Sequence, residues 1–146
     1  MRKTSIPLTL INLNDDGFHL LVEIVVYKEK HLVVLDTGAS RSVFDIAFTD
    51  RFALKPLSDD DLAADENFAT TLFSTSNTVL ANFPHLKIGR ITVSDYAAVA
   101  LDLSSVNEAY EQLGHPKVAG ILGGDILFKY AARIDYKRLK LTLSYQ

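Results

Sequence analysis

Apolar residues along this chain fall in short β-branched and aliphatic runs rather than in long helical stripes. Phe18 to Tyr27 and His31 to Leu35 are two such runs, and the polar Lys28-Glu29-Lys30 between them predicts a hairpin. Leu86-Lys87-Ile88 and Ile91-Thr92-Val93 flank Gly89-Arg90 and predict a second hairpin, followed by a strand over Tyr96 to Leu101. Near the C-terminus, Leu139, Leu141 and Leu143 alternate with Lys140, Thr142 and Ser144. That is the period of a half-buried strand.

Helical signals are short. Phe44, Phe48 and Phe52 recur every four residues, so one helix face is expected to carry all three. Ser105 with Glu108 fits a capping box, and Gly114 followed by Pro116 supplies a stop. Asp125 is the expected N-cap of a helix over Ile126 to Ala132, and Ser58-Asp59-Asp60-Asp61 reads as a solvated loop or helix start. No repeat, low-complexity tract or linker interrupts the pattern. The expectation is a mainly β fold with a few short helices, one domain over residues 1–146.

Composition narrows the chemistry. With 48% hydrophobic and 23% charged residues the chain is of ordinary globular type, and its net charge of -3 offers no electrostatic attraction to nucleic acid or an anionic membrane. There is no cysteine, which excludes disulfides, thiolate zinc sites and a thiol nucleophile. His19, His31, His85 and His115 are scattered without ligand spacing, so neither a metal nor a cofactor is expected. Met1-Arg2-Lys3 is a possible opening of a secretory signal, but Pro7, Asn12 and Asn14 break the stretch from Thr4 to Asn14, and no apolar window is long enough to span a membrane. A cytoplasmic location is the expectation.

The chemistry concentrates at Val33-Val34-Leu35-Asp36-Thr37-Gly38-Ala39-Ser40, where an acid leaves an apolar strand into a glycine turn. A carboxylate in such a place needs donors, and the Thr37 and Ser40 hydroxyls and the turn's N–H groups offer them. Taken alone, Asp-Thr-Gly fits equally well an aspartate that caps its own turn. Asp36 to Ser40 also fits the Asp-x-Gly-x-Ser phosphate loop of actin-like and sugar-kinase ATPases, but 146 residues are too few for that two-lobed fold.

Far downstream, Ala119-Gly120-Ile121-Leu122-Gly123-Gly124-Asp125 again runs two apolar residues into glycine, and Ala132-Arg133-Ile134-Asp135-Tyr136 comes after it. The two motifs together resemble the retropepsin-like aspartic proteases, and the downstream phrase is similar to bacterial and cellular members more than viral ones. The resemblance covers the chain from about Phe18 to the C-terminus. Positions that form an ion pair in retroviral enzymes are Ser40 and Gly124 here, so both halves of that pair are missing together.

The resemblance implies a single-lobe acid-protease fold, a closed β-barrel with a few short helices. Asp36 is then the catalytic carboxylate, supported by Thr37 and Gly38, and Leu122 and Gly123 complete a ψ-shaped loop that crosses the Asp36 turn. It further implies that Ala39, Ser40, Val43 and Ile121 lie along the substrate groove, with core packing the alternative for Val43 and Ile121. Family members close a hairpin flap over substrate. The corresponding Thr70 to Leu80 contains no glycine, and Phe73 is its candidate substrate contact or else a core residue. Alanine at position 39 replaces the hydroxyl that pepsin-like lobes use on the ionised carboxylate, so activity is expected at mildly acidic to near-neutral pH.

Peptide hydrolysis of this kind uses two carboxylates sharing one proton, and the chain has one Asp-Thr-Gly. The implied active form is therefore a homodimer with Asp36 facing its symmetry mate and the Thr37 hydroxyls bracing the two loops. The Leu139-Leu141-Leu143 strand, with Leu8 and Leu10, is a candidate for pairing between copies or else an internal strand. The resulting expectation is a homodimeric aspartic endopeptidase acting on peptides or unfolded protein. The alternative is a non-catalytic dimeric peptide-binding or scaffolding module on the same fold.

Overall fold

Two tight hairpins start the sheet. In the computed structural model, which describes residues 1–51 and 79–146, β2 (Phe18–Val26) and β3 (Glu29–Leu35) pair antiparallel from Val26↔Glu29 to Leu20↔Leu35. The turn is thus the two residues Tyr27-Lys28, at φ +49° and +66°, and not the longer polar stretch Lys28-Glu29-Lys30. Positive φ at both central residues matches the right-handed twist of the flanking strands. β5 (Val79–Ile88) and β6 (Ile91–Leu101) form the second hairpin, and the strand expected over Tyr96 to Leu101 is the far half of β6. At its turn Gly89 has φ +59°, and a Cβ there would lie 2.6 Å from Thr4 Oγ1. That close approach docks the N-terminal strand, with Arg90 N–H donating to Thr4 Oγ1 at 3.1 Å.

β4 (Val43–Asp45) and β7 (Gly120–Leu122) complete a closed barrel in the order β3-β7-β4-β6-β5-β2, shut by the β2–β3 pairing. β7 runs parallel to β3, and β4 runs parallel to β6. Outside the barrel, β1 (Arg2–Asn12) pairs with β2 through Leu8–Asn12 and with β9 (Lys140–Tyr145) through Arg2–Pro7. β8 (Arg133–Asp135) closes the order beyond β9. The main core takes alternate residues Leu20, Val22, Ile24 and Val26 of β2 together with Phe44, Phe83, Leu122, Leu141 and Leu143. A second cluster of Ile11, Leu21, Val34, Tyr110 and Val118 fills the other face, which is why β2 reads as an almost continuous apolar run.

Three local expectations are corrected. Phe44 lies in β4 and Phe48 in α1 (Ile46–Arg51), so their rings, stacked with centroids 6.0 Å apart, meet across a strand–helix junction and not along one helix. Phe52 and Ser58 to Asp61 fall outside the described residues, as do Thr70 to Thr78 of the expected flap. α2 (Ser104–Gln112) has no capping box: Leu103 is its N-cap without a side-chain bond, and Asp102 Oδ1 accepts Ser104 N–H at 2.9 Å. That bond holds the Asp102 carboxyl below its ordinary range. The stop is as expected, with Gly114 at φ +77° and His115 N–H donating to Tyr110 O at 2.8 Å. Finally, β9 is hydrogen-bonded on both edges, by β1 and β8, and Leu141 and Leu143 are fully buried. The C-terminal leucine strand is therefore internal from Lys140 to Thr142, while beyond Thr142 it is paired by β1 alone, with Ser144 N–H donating to Tyr130 O.

No helix among the described residues is long and apolar enough to cross a membrane.

Candidate active site

The last three residues of β3, Val33 to Leu35, are buried, and the next three, Asp36, Thr37 and Gly38, are exposed. Asp36 N–H donates to Leu122 O at 3.0 Å, which carries the parallel β3–β7 ladder one residue past the strand. The chain then turns: Ala39 N–H reaches Asp36 O at 3.2 Å, and Gly38 N–H donates to Asp36 Oδ1 at 2.9 Å. A Cβ on Gly38 would lie 3.3 Å from that same oxygen, tight enough to crowd the carboxylate away from its donor. Among the described residues Gly38 is the one hydrogen-bond donor to the Asp36 side chain.

The other side of the turn is clamped to the segment after β7. Gly124 N–H donates to Ala39 O at 2.7 Å. At Gly123 a Cβ would stand 2.7 Å from Ala39 O and 2.8 Å from Arg41 O, so only glycine lets the two segments cross there. Gly123 N–H instead donates to Ser42 Oγ at 2.9 Å. Ser42 donates its own N–H and Oγ–H to Asp125 Oδ1 at 2.9 and 2.8 Å, and the Tyr96 hydroxyl donates to Asp125 Oδ2. Burial is the main reason the Tyr96 phenol is pushed far above its ordinary range, with the Asp125 carboxylate adding to the effect.

Asp125 is consequently not the N-cap. Gly123 holds that place for α3 (Gly124–Lys129), and Asp125 sits in the first helical turn with its carboxylate directed at Ser42, Tyr96 and Ile126 N–H. The clasp of Ser42, Tyr96 and Asp125 was not anticipated. A local signal existed for Asp125, because an acid opening the apolar Gly-Gly-Asp-Ile-Leu helix needs donors. Nothing local points to Ser42 and Tyr96 as their source.

The remaining predicted residues divide. Val43 is buried against Val99, with half-buried Ile121 and Leu101 beside them. Leu122 is fully buried, Ala39 is half-buried and Ser40 is exposed. Phe73 lies outside the described residues. Thr37 faces a surface depression of about 420 Å³ shared with Leu127, Phe128, Ala131 and Ile134. Among the described residues no group of three or more His, Cys, Asp or Glu is placed to hold a metal. The arrangement thus presents one carboxylate, fixed by a backbone donor, on a turn braced at two points.

A sequence profile described as aspartyl protease matches residues 22–126, from β2 to the first turn of α3, which includes both the Asp36 turn and the Gly123 crossing. Compared by sequence with curated proteins, the chain has no match. Among solved structures it is similar to a retropepsin-like aspartic protease from Rickettsia conorii, at 17% identity and a TM-score of 0.56, over 97% of this chain and 90% of that one. It is also similar to the retroviral protease-like domain of Ddi1 from Leishmania major, at 14% identity and a TM-score of 0.54, over 88% of this chain and 90% of that one. At these identities the likeness carries the fold, which is the retropepsin-like barrel.

Proposed function

Because the chain belongs to the aspartyl protease family, we propose that it is a homodimeric aspartic endopeptidase whose catalytic pair is Asp36 and the Asp36 of a second copy. The observation that supports this most is the exposed Asp36 carboxylate on a turn fixed by Gly38 N–H and clamped through Gly123 and Gly124. A single carboxylate cannot be both base and acid in one step. Two sharing a proton can: the ionised one takes a proton from water, and the protonated one donates a hydrogen bond to the scissile carbonyl. Water adds to the carbonyl carbon, and proton return to the amide nitrogen releases the amine.

In this reading Thr37 and Gly38 hold the turn, and Leu122 and Gly123 support it from below. Ala39, Ser40, Ile121 and Phe73 belong to the peptide groove, and Val43, buried against Val99, packs behind it as core. The substrate is an extended peptide or unfolded protein segment, because both carboxylates must flank one accessible amide. The test is cleavage of an unfolded protein between about pH 3 and 8, by wild type and Asp36→Asn, with and without a pepstatin-type transition-state analogue. Analogue-sensitive cleavage by wild type, absent in the variant, is expected. Equal cleavage by both sinks the assignment, and peptide binding without any cleavage points to a scaffolding module.

A further inference from the structure

We propose that the end of the barrel away from Asp36 carries a second binding site, a cleft between α1 and α2 built around Asp45, which takes the primary ammonium groups of an extended polycation. β7 has its Leu122 end beside the Asp36 turn, and β4 runs antiparallel to β7. Asp45, whose N–H donates to Ala119 O at 2.9 Å, therefore lies at the opposite end. It is 6% exposed. Its Oδ1 accepts Leu103 N–H at 3.2 Å, and its Oδ2 has no hydrogen-bond partner among the described residues. A carboxylate so buried needs more than one donor. Asp45 also lines two adjoining depressions, of about 780 and 350 Å³, which share Asp45, Ala47 and Lys117. The unpartnered oxygen is thus within reach of a ligand in the cleft.

The wall of the larger depression indicates which ligand. Asp50 of α1 and Asp102, Glu108 and Glu111 join Asp45 there, against one lysine, Lys117, and His115. Ser104, Glu108 and Glu111 follow one another at helical spacing, so α2 turns a single face to the cleft. Among the described residues no three acids or histidines are grouped to hold one metal ion. The negative charges are instead spread, which suits a cation whose own charges are spread. With Oδ1 engaged by Leu103, Asp45 offers a single oxygen, and that favours an ammonium group over a two-pronged guanidinium. A free aliphatic polyamine and the lysine side chains of a peptide both present this group.

Isothermal titration calorimetry of the full chain at low salt tests the site, with spermidine, trilysine and magnesium ion as probes. Wild type and Asp36→Asn are expected to bind the ammonium probes alike, so failure here leaves the peptidase reading untouched. Asp45→Asn keeps an acceptor for Leu103 N–H and should weaken binding roughly 10-fold or more, as the loss of a charge-assisted hydrogen bond does. Glu108→Gln/Glu111→Gln, changed only at exposed positions, should weaken it roughly threefold. Tighter spermidine binding assigns the cleft to a free polyamine, and tighter trilysine binding assigns it to a peptide. Binding of neither probe overturns the site. So does an affinity unchanged in folded Asp45→Asn or in the double variant, and so does magnesium displacing spermidine at equal concentration, which would mean charge screening alone.

Discussion

Ser42 and Asp125, 83 residues apart in sequence, are joined twice, by Ser42 N–H and by Ser42 Oγ–H, both to Asp125 Oδ1. Because Ser42 Oγ also accepts Gly123 N–H, one buried hydroxyl ties the end of the Asp36 turn to the start of α3. Tyr96 completes the clasp from β6 by donating to the other carboxylate oxygen. Support for the candidate carboxylate thus comes from three separate parts of the chain.

Removing the shared acceptor leaves several donors without a partner. Asp125→Ala is expected to destabilise the fold by about 2–4 kcal/mol, the cost of stranding buried polar groups. Urea unfolding should show a lower midpoint with an unchanged slope. A variant within about 0.5 kcal/mol of wild type, the usual range of surface substitutions, would contradict the clasp.

Tyr96 gives the clasp a pH signature. Its phenol stays protonated in the folded chain well above the pH at which the unfolded chain releases the proton. Its contribution is therefore fully present below about pH 10, the ordinary tyrosine value, and is lost progressively above it. Chemical denaturation at rising alkaline pH should show a steeper loss of stability for wild type than for Tyr96→Phe. Parallel pH dependences would refute the assignment.

These relationships also mark how far the sequence alone reaches. The hairpin at Gly89 and the alternation of Leu139, Leu141 and Leu143 are local signals, and the structure has a strand at each. The downstream glycine motif was legible because Gly120 and Gly123 meet a close backbone approach that side chains forbid, whereas a Cβ at Gly38 would crowd only the Asp36 carboxylate. Phe44 and Phe48 misled, because two aromatic residues reaching one core from a strand and the helix after it mimic a four-residue helical repeat. Pro7 and the polar neighbours of Ile6 and Leu8 hid β1, which is defined by its partners β9 and β2. The clasp was invisible for the same reason: Ser42, Tyr96 and Asp125 meet only once the barrel has closed.

The crossing at Gly123 admits no side chain. Gly123→Ala is expected to cost about 2–3 kcal/mol through forced displacement of the Ala39–Arg41 backbone. Peptidase activity per folded molecule should fall as well, because the displaced segment carries Asp36. Full activity in a stably folded Gly123→Ala protein would show that the crossing does not set the turn.

Leu143 distinguishes an internal strand from an interface. It is fully buried within the single chain, so Leu143→Ala should lower unfolding stability by about 2–5 kcal/mol at every protein concentration. A loss confined to concentrations at which the protein dimerises would place β9 at the contact between copies instead.

The central claim is that one catalytic site takes one Asp36 from each of two chains, and subunit mixing tests it most directly. Inactive Asp36→Asn chains are added to a fixed amount of wild type, subunits are allowed to exchange, and cleavage is measured with all chains dimeric. Random pairing of equal amounts puts half of the wild-type chains into dead mixed dimers, so activity should fall to about half and continue falling with excess variant. Activity that stays constant as the variant is added would mean that each chain works alone, and would contradict the account.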